Sequence, residues 1–263
     1  MKVGERRREI ARLVLSVGRI QAQELSERFG VNAETIRRDL AALESSGTLH
    51  RTHGGAMARR PLPPEIRVPM RVEERDAKFE IAKEASDLIP DSGVVFIEAG
   101  STSSMLVDYL VDRPELLIVT NALQTALALT DRGAADVMTI GGRIRPQSYG
   151  EVGPWAFERL ASLRFNVAFV GTNAIDFDWG MWTQDPSEAQ IKAAIIASAE
   201  TSVLLVDHTK FGLRAACRYG SVEDVEIVVS DHHLERSVVE DIGALGIEMR
   251  VARPADHPTE SHP

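Results

Sequence analysis

Asn32-Ala33-Glu34-Thr35-Ile36-Arg37-Arg38-Asp39-Leu40 is the stretch that decides the fold of the N-terminal part of this chain. Asn32 fits a helix N-cap, because its side-chain oxygen can take an orphan N–H of the first turn. Glu34 falls in that turn, where the helix dipole favours negative charge. Ile36, Leu40 and Leu43 recur at i, i+4, i+7 and make one apolar stripe, with Glu34, Arg38, Ala41 and Ser45 roughly opposite. Such a helix is held down by one face and offers arginines on the other to something anionic. Upstream, residues 5–17 read as a helix with Ile10, Leu13, Val14 and Val17 on one side. Residues 22–29 read as another, ended by Gly30. Only Val31 and Asn32 separate that glycine from the next helix, the spacing of a helix-turn-helix whose second member enters the DNA major groove. Beyond Gly47, Thr48–Ala56 alternates and turns at Gly54-Gly55, as a β-wing does. Adjacent arginines on a helix are by themselves more often solvated than bound. Tight turn, cap and wing together favour a winged helix-turn-helix.

Thr35-Ile36-Arg37-Arg38-Asp39-Leu40, then Leu43-Glu44, Gly47, Leu49, Arg51 and His53-Gly54-Gly55-Ala56, resemble the N-terminal signature of DeoR-family transcriptional regulators. The similarity continues over nearly the whole chain. Asn32, Thr35, Arg37, Arg38, Arg51 and His53 are the expected DNA-binding residues, with His50 a further candidate for backbone contact on the wing.

The net charge of −9 conceals an asymmetry. Residues 1–60 hold 12 Lys+Arg against 7 Asp+Glu, and the remainder holds 18 against 32. A basic head on an acidic body confines duplex contact to the head. The single cysteine, Cys217, excludes an intrachain disulfide and zinc held by cysteine clusters. No apolar run approaches the ~18–20 residues of a membrane span, and the N-terminus lacks the pattern of a signal peptide. A cytoplasmic protein without membrane association is expected.

The expected organisation is a winged helix-turn-helix at 1–58, a Pro-rich linker at 59–74, an α/β domain at 75–252 and a disordered tail at 253–263. Four prolines in 59–72 make the linker semi-stiff. Beyond it, apolar runs at 93–98, 116–120, 137–140, 167–171, 203–207, 226–230 and 247–251 read as strands. Helical patterns at 77–89, 103–111, 122–132, 154–163, 187–199 and 234–243 alternate with them. That alternation predicts a mostly parallel sheet covered on both faces, with ligands outside the carboxyl ends of its strands.

Four post-strand loops carry polar clusters. Glu98-Ala99-Gly100-Ser101-Thr102 precedes a helix and can offer N–H groups to a phosphate or carboxylate, or simply cap. Thr120-Asn121 follows the second strand, Gly141-Gly142-Arg143-Ile144-Arg145 the third, and Asp207-His208-Thr209-Lys210 the fifth. Glu188 and Lys192 at i, i+4 are on spacing alone an ordinary surface pair worth ~0.3–0.5 kcal/mol. No metal cluster is evident: the seven histidines look scattered, and His232-His233 reads as a solvated loop. No cofactor is expected.

Lys78 with Ile81-Ala82, Gly100-Ser101-Thr102, Thr120-Asn121, Gly141-Gly142 with Arg145, Val152-Gly153, Phe169-Val170-Gly171, Glu188-Ala189 with Lys192, and Asp207 with Lys210 resemble the C-terminal domain of the same family. That domain is similar to sugar-phosphate isomerases and coenzyme A-transferases. The resemblance implies a sensor of phosphorylated sugars, with Glu98, Gly100, Ser101, Thr102, Thr120, Asn121, Gly142, Arg145, Glu188, Lys192 and Lys210 binding the effector. Glu98 and Asn166 each stand where an aspartate is usual. The rival reading is an isomerase-type enzyme fused to a DNA-binding head. Isomerisation needs a general base and proton-managing acids, and where the isomerases carry catalytic aspartates this chain has Val170, Asn173 and Ala174. The expected partners are a double-stranded operator, a sugar phosphate and further copies of the chain, as a dimer or tetramer.

Overall fold

A computed structural model describes residues 1–52, 54–58, 65–134, 136–177 and 179–254. The predicted tail from 255 onward, linker residues 59–64 and His53 lie outside the described residues.

The head comprises α1 (Val3–Val17), β1 (Arg19–Gln21), α2 (Ala22–Phe29), α3 (Ala33–Ser45), β2 (Leu49–Thr52) and β3 (Gly55–Ala58). Gly30 closes α2 in the left-handed region at φ 62°, which only glycine adopts without strain, and so allows the tight turn into α3. Ile36, Leu40 and Leu43 pack against Ile10, Val14, Leu25 and Leu49, the stripe read from the sequence. Asp39 joins them inward: its carboxylate takes Arg6 Nε at 2.5 Å and Arg7 Nε at 2.8 Å. The wing is three-stranded, since the short β1 pairs antiparallel with β3 beside β2.

In the body, α4 (Arg75–Ser86), β4 (Gly93–Ile97), α5 (Val107–Leu110), β5 (Leu116–Thr120), α6 (Leu123–Asp131), β6 (Val137–Thr139), β7 (Arg143–Arg145), β8 (Gly150–Val152), α7 (Pro154–Ala161) and β9 (Phe165–Gly171) come first. They are followed by β10 (Ala174–Asp176), β11 (Gly180–Thr183), α8 (Pro186–Ala197), β12 (Ala199–Leu205), β13 (Cys217–Gly220), β14 (Ile227–Ser230), α9 (Arg236–Ala244) and β15 (Glu248–Val251). Among the described residues, seven strands form a parallel sheet in the order β15-β14-β12-β9-β4-β5-β6. Alternate strand residues feed two cores. Val95, Ile97, Phe169 and Leu205 face the layer of α4 and α6, while Phe96, Ala168 and Val170 face α7 and α8. From β4 the chain runs outward to β5 and β6, then returns to build β9 and β12 on the other side. The β4–β9 boundary is therefore the switch point at which ligands of such sheets bind. The small antiparallel pieces β7–β8 and β10-β11-β13 have no counterpart in the sequence reading; strands this short carry too few residues for a period to show.

Head and body touch. Met57 of β3 packs over Gly212, His50 Nδ1 lies 3.9 Å from Asp176 Oδ2, and Arg19 bonds Asp241. Described linker residues are not a free spacer: Glu65 pairs with Arg145, and Val68 N–H donates to the Gln147 carbonyl at 2.8 Å. No helix among the described residues is long and apolar enough to cross a membrane.

Candidate functional site

At the start of α3, Asn32 Oδ1 accepts both the Thr35 N–H (2.8 Å) and the Thr35 hydroxyl (2.7 Å). The cap is as read, but it narrows Thr35. A hydroxyl already donating to Asn32 meets a phosphate, itself an acceptor, only by leaving the cap. Arg37 and Arg38 point outward with side chains 70% and 75% exposed, with Glu34 at 3.7 and 3.3 Å. Exposed pairs of this kind contribute ~0.2–1 kcal/mol, so both guanidinium groups are cheaply redirected to an anion. Arg51 is half-exposed on the wing, 3.6 Å from Glu44. His50 does not face outward: it is buried against Asp176 of the body, and the wing role expected of it is corrected. Strand alternation sends His50 inward and Arg51 outward.

A cavity of about 400 Å³ opens at the β4–β9 switch point. Glu98, Gly100, Ser101, Thr102, Glu188, Lys192 and Lys210 all line it. At its floor, Lys192 Nζ meets Glu98 Oε1 at 2.8 Å and the Gly171 carbonyl at 2.9 Å, while Glu98 Oε2 accepts the Gly171 N–H at 3.2 Å. Burial pushes the Glu98 carboxyl up, against the pull of the Lys192 ammonium. The pair expected on spacing, Glu188 with Lys192, is thus replaced by Glu98–Lys192. Glu188 instead accepts from Arg145 at 3.2 Å and from the Thr183 hydroxyl at 3.0 Å. Lys210 is a third exposed and only 3.6 Å from Asp207, the least committed of the pocket lysines. Lys78 also lines the cavity and donates to the carbonyls of Arg71 and Glu73. Burial lowers its pKa, with Asp207 pulling the other way.

Four expected effector residues lie elsewhere. Thr120 and Asn121 stand behind the wall, not in it. Thr120 Oγ1 donates to the Ile97 carbonyl at 2.6 Å, and Asn121 Oδ1 accepts the Ala99 N–H at 2.8 Å. Their buried side chains hold the Glu98–Ser101 loop in place. Gly142 belongs to a separate hollow with Trp155 and Glu158. Arg145 is surrounded by carboxylates: Glu65 at 2.5 Å, Glu188 at 3.2 Å and Asp185 at 3.4 Å. Burial opposes its charge, but these acids raise its pKa further. It therefore ties linker to pocket wall instead of meeting a ligand directly. Sequence reasoning also missed Glu65, Arg71 and Glu73, linker residues that line the cavity. Asn166, set beside Glu98 as a departure, sits at the opposite end of β9, accepting the Val94 N–H at 2.9 Å.

The histidines are not all scattered. His208, after β12, and His233, after β14, both direct Nδ1 at Asp231 Oδ2, at 2.7 and 3.3 Å. Burial alone raises the Asp231 carboxyl, but the His208 N–H and imidazole hold it below its ordinary value. Adjacent parallel strands bring these residues together across more than twenty positions, beyond what spacing along the chain reveals.

A winged helix-turn-helix head carrying exposed arginines, joined to an α/β body with a pocket at its sheet switch point, defines a DNA-binding regulator with a sensor domain. Family models agree: residues 6–61 match the DeoR-like helix-turn-helix domain, and residues 73–232 match the DeoR C terminal sensor domain. The chain belongs to the DeoR family of transcriptional regulators. It is 31% identical to the HTH-type transcriptional regulator GlpR of Haloferax volcanii over 248 residues, covering 94% of this chain and 97% of that one. Against the glycerol-3-phosphate regulon repressor of Escherichia coli K12 it is 32% identical, covering 88% and 92%. The putative aga operon transcriptional repressor of Escherichia coli O157:H7 is 27% identical, with 93% and 92% covered. Among solved structures, ribose 5-phosphate isomerase A from Methanocaldococcus jannaschii matches at TM-score 0.40 and 18% identity, covering 53% of this chain and 55% of that one.

Proposed function

We propose that this regulator is a cytoplasmic repressor of carbohydrate-metabolism genes whose grip on its operator is altered by a phosphorylated sugar or polyol in the pocket. The observation that carries the reading is the pairing of unlike chemistry across one cavity. The Gly100-Ser101-Thr102 loop and Lys210 suit a dianionic phosphate, and Glu188 and Asn173, which line the same cavity, suit hydroxyls. Relatives named as repressors of the glycerol-3-phosphate regulon and of the aga operon support it. Arg37, Arg38 and Arg51 are the proposed DNA contacts, with Asn32 orienting the helix. Homo-oligomerisation through the body is part of the proposal, because one recognition helix reads too few bases for a unique site.

The pocket binds without converting. Val170 and Ala174 are buried and apolar, and the Asn173 amide lies 2.9 Å from the Thr183 hydroxyl. Both Glu188 oxygens already accept hydrogen bonds, and the Glu98 charge is committed to Lys192. Val170, Asn173 and Ala174 thus offer no Brønsted acid or base to shuttle an enediolate proton. Thermal shifts of the full-length protein against a panel of sugar and polyol phosphates test this. A phosphorylated compound should raise the melting temperature, its dephosphorylated counterpart should not, and Lys210→Ala should weaken the response at least tenfold. Equal response in wild type and Lys210→Ala would remove the phosphate assignment, and turnover of the bound compound would restore the enzyme reading.

A further inference from the structure

We propose that His208, Asp231 and His233 form a binding site for a divalent transition metal of the zinc class, at the carboxyl ends of β12 and β14. Two imidazoles converge on one carboxylate oxygen, and the donor atoms of all three residues lie within 4.8 Å of one another. A tetrahedral zinc with bonds of ~2.0–2.1 Å sets its ligands about 3.3 Å apart. The Nδ1–Oδ2 distance of His233, 3.3 Å, matches that edge, while that of His208, 2.7 Å, must open by about 0.6 Å as an ion replaces the hydrogen bond. Two nitrogens and one oxygen suit zinc, cobalt or nickel, not the all-oxygen shells of calcium and magnesium.

The surroundings are arranged as support for such a site. Asp231 is wholly buried, and its other oxygen, Oδ1, accepts the His208 N–H at 2.8 Å, which fixes the carboxylate plane. His232 lies tilted against the His233 ring, centroids 3.9 Å apart, and is itself held by Glu80, 2.7 Å from its Nδ1. His233 is more than half exposed, so a fourth position faces solvent, where water or another small ligand completes the shell. His208 begins the segment that carries Lys210 into the pocket and sets Gly212 against Met57 of the head. An ion here pins the start of that segment to the end of β14. Metal uptake requires the lone pair of each Nδ1, which leaves the ring proton on Nε2.

The test uses untagged full-length protein stripped with chelator and titrated with Co²⁺ and Zn²⁺ by calorimetry and visible absorption. One equivalent per chain is expected, with the visible bands of four-coordinate Co²⁺ bleached on Zn²⁺ addition. His233→Ala, an exposed change, should keep the metal-free melting temperature yet lower affinity at least tenfold and abolish the bands. His208→Gln should do the same to the spectrum. Absence of stoichiometric binding, or binding of unchanged affinity in His233→Ala and His208→Gln alike, would overturn the assignment and leave a hydrogen-bonded triad.

Discussion

Gly212→Ala is the sharpest probe of how head and body are joined. Gly212 has φ +72°, where an L-residue costs roughly 1–2 kcal/mol. A β-carbon there would also collide with Met57 Sδ and lie 2.7 Å from Cγ and 2.9 Å from Cε, so the thioether must leave its site. Met57 is 9% exposed, and returning most of a buried methionine to water costs up to ~1.5–3 kcal/mol. Together the change should destabilise the chain by about 2–5 kcal/mol. In the Met57→Ala background the collision is gone, and only the backbone term of about 1–2 kcal/mol should remain. Urea unfolding of the wild type, both single variants and the double variant closes the cycle. The contact predicts a coupling of roughly 1–3 kcal/mol, with the head melting before the body in Gly212→Ala. Single effects that add to within ~0.5 kcal/mol would show that Met57 does not rest on Gly212, and the route from pocket to head through this segment would be lost.

Two further outcomes follow from the head. Arg38→Ala combined with Arg37→Ala should leave the melting temperature within a degree or so, because both side chains are exposed. Duplex affinity should fall, and the dependence of log K on log salt should flatten by up to about 1.8 if both arginines contact phosphate; an unaltered slope and affinity would remove them from the interface. The Asp39 carboxyl gives the pH dependence. Burial works against its charge, but the hydrogen bonds and charges of Arg6 and Arg7 hold it below the ordinary carboxylate range. A pKa depressed in the folded state adds stability that is complete above the unfolded value, about 3.9, and vanishes as pH falls through the folded one. The head's melting temperature should therefore be flat at neutral pH and drop below about pH 4, and Asp39→Asn should blunt that acid limb.

Local signals were the ones the sequence carried. Asn32 announces its helix because a cap needs only a residue three places on, and the α3 stripe shows because its period is 3.6. The parallel strands show because each is a short apolar run between longer helical patterns. Expectations failed where the partner is remote. Arg145 looks like a ligand group until Glu65, eighty residues earlier, is found on it. Thr120 and Asn121 follow a strand as pocket residues do, yet they point back into the Ile97–Ala99 backbone. His50 shares the wing with Arg51, and only the docking of the body on one side of the strand separates their roles. Lys192 has Glu188 one turn away, but Glu188 is taken by Arg145, and the longer reach to the buried Glu98 wins.

The most direct measurement is operator binding by the full-length protein, followed by fluorescence anisotropy on a duplex it selects from a random pool, with and without sugar and polyol phosphates. A phosphorylated compound should shift affinity by 5–150-fold, a coupling of roughly 1–3 kcal/mol, and Lys210→Ala should abolish the shift while leaving compound-free DNA binding intact. Tight operator binding that no phosphorylated compound alters, or an identical shift in Lys210→Ala, would contradict the account.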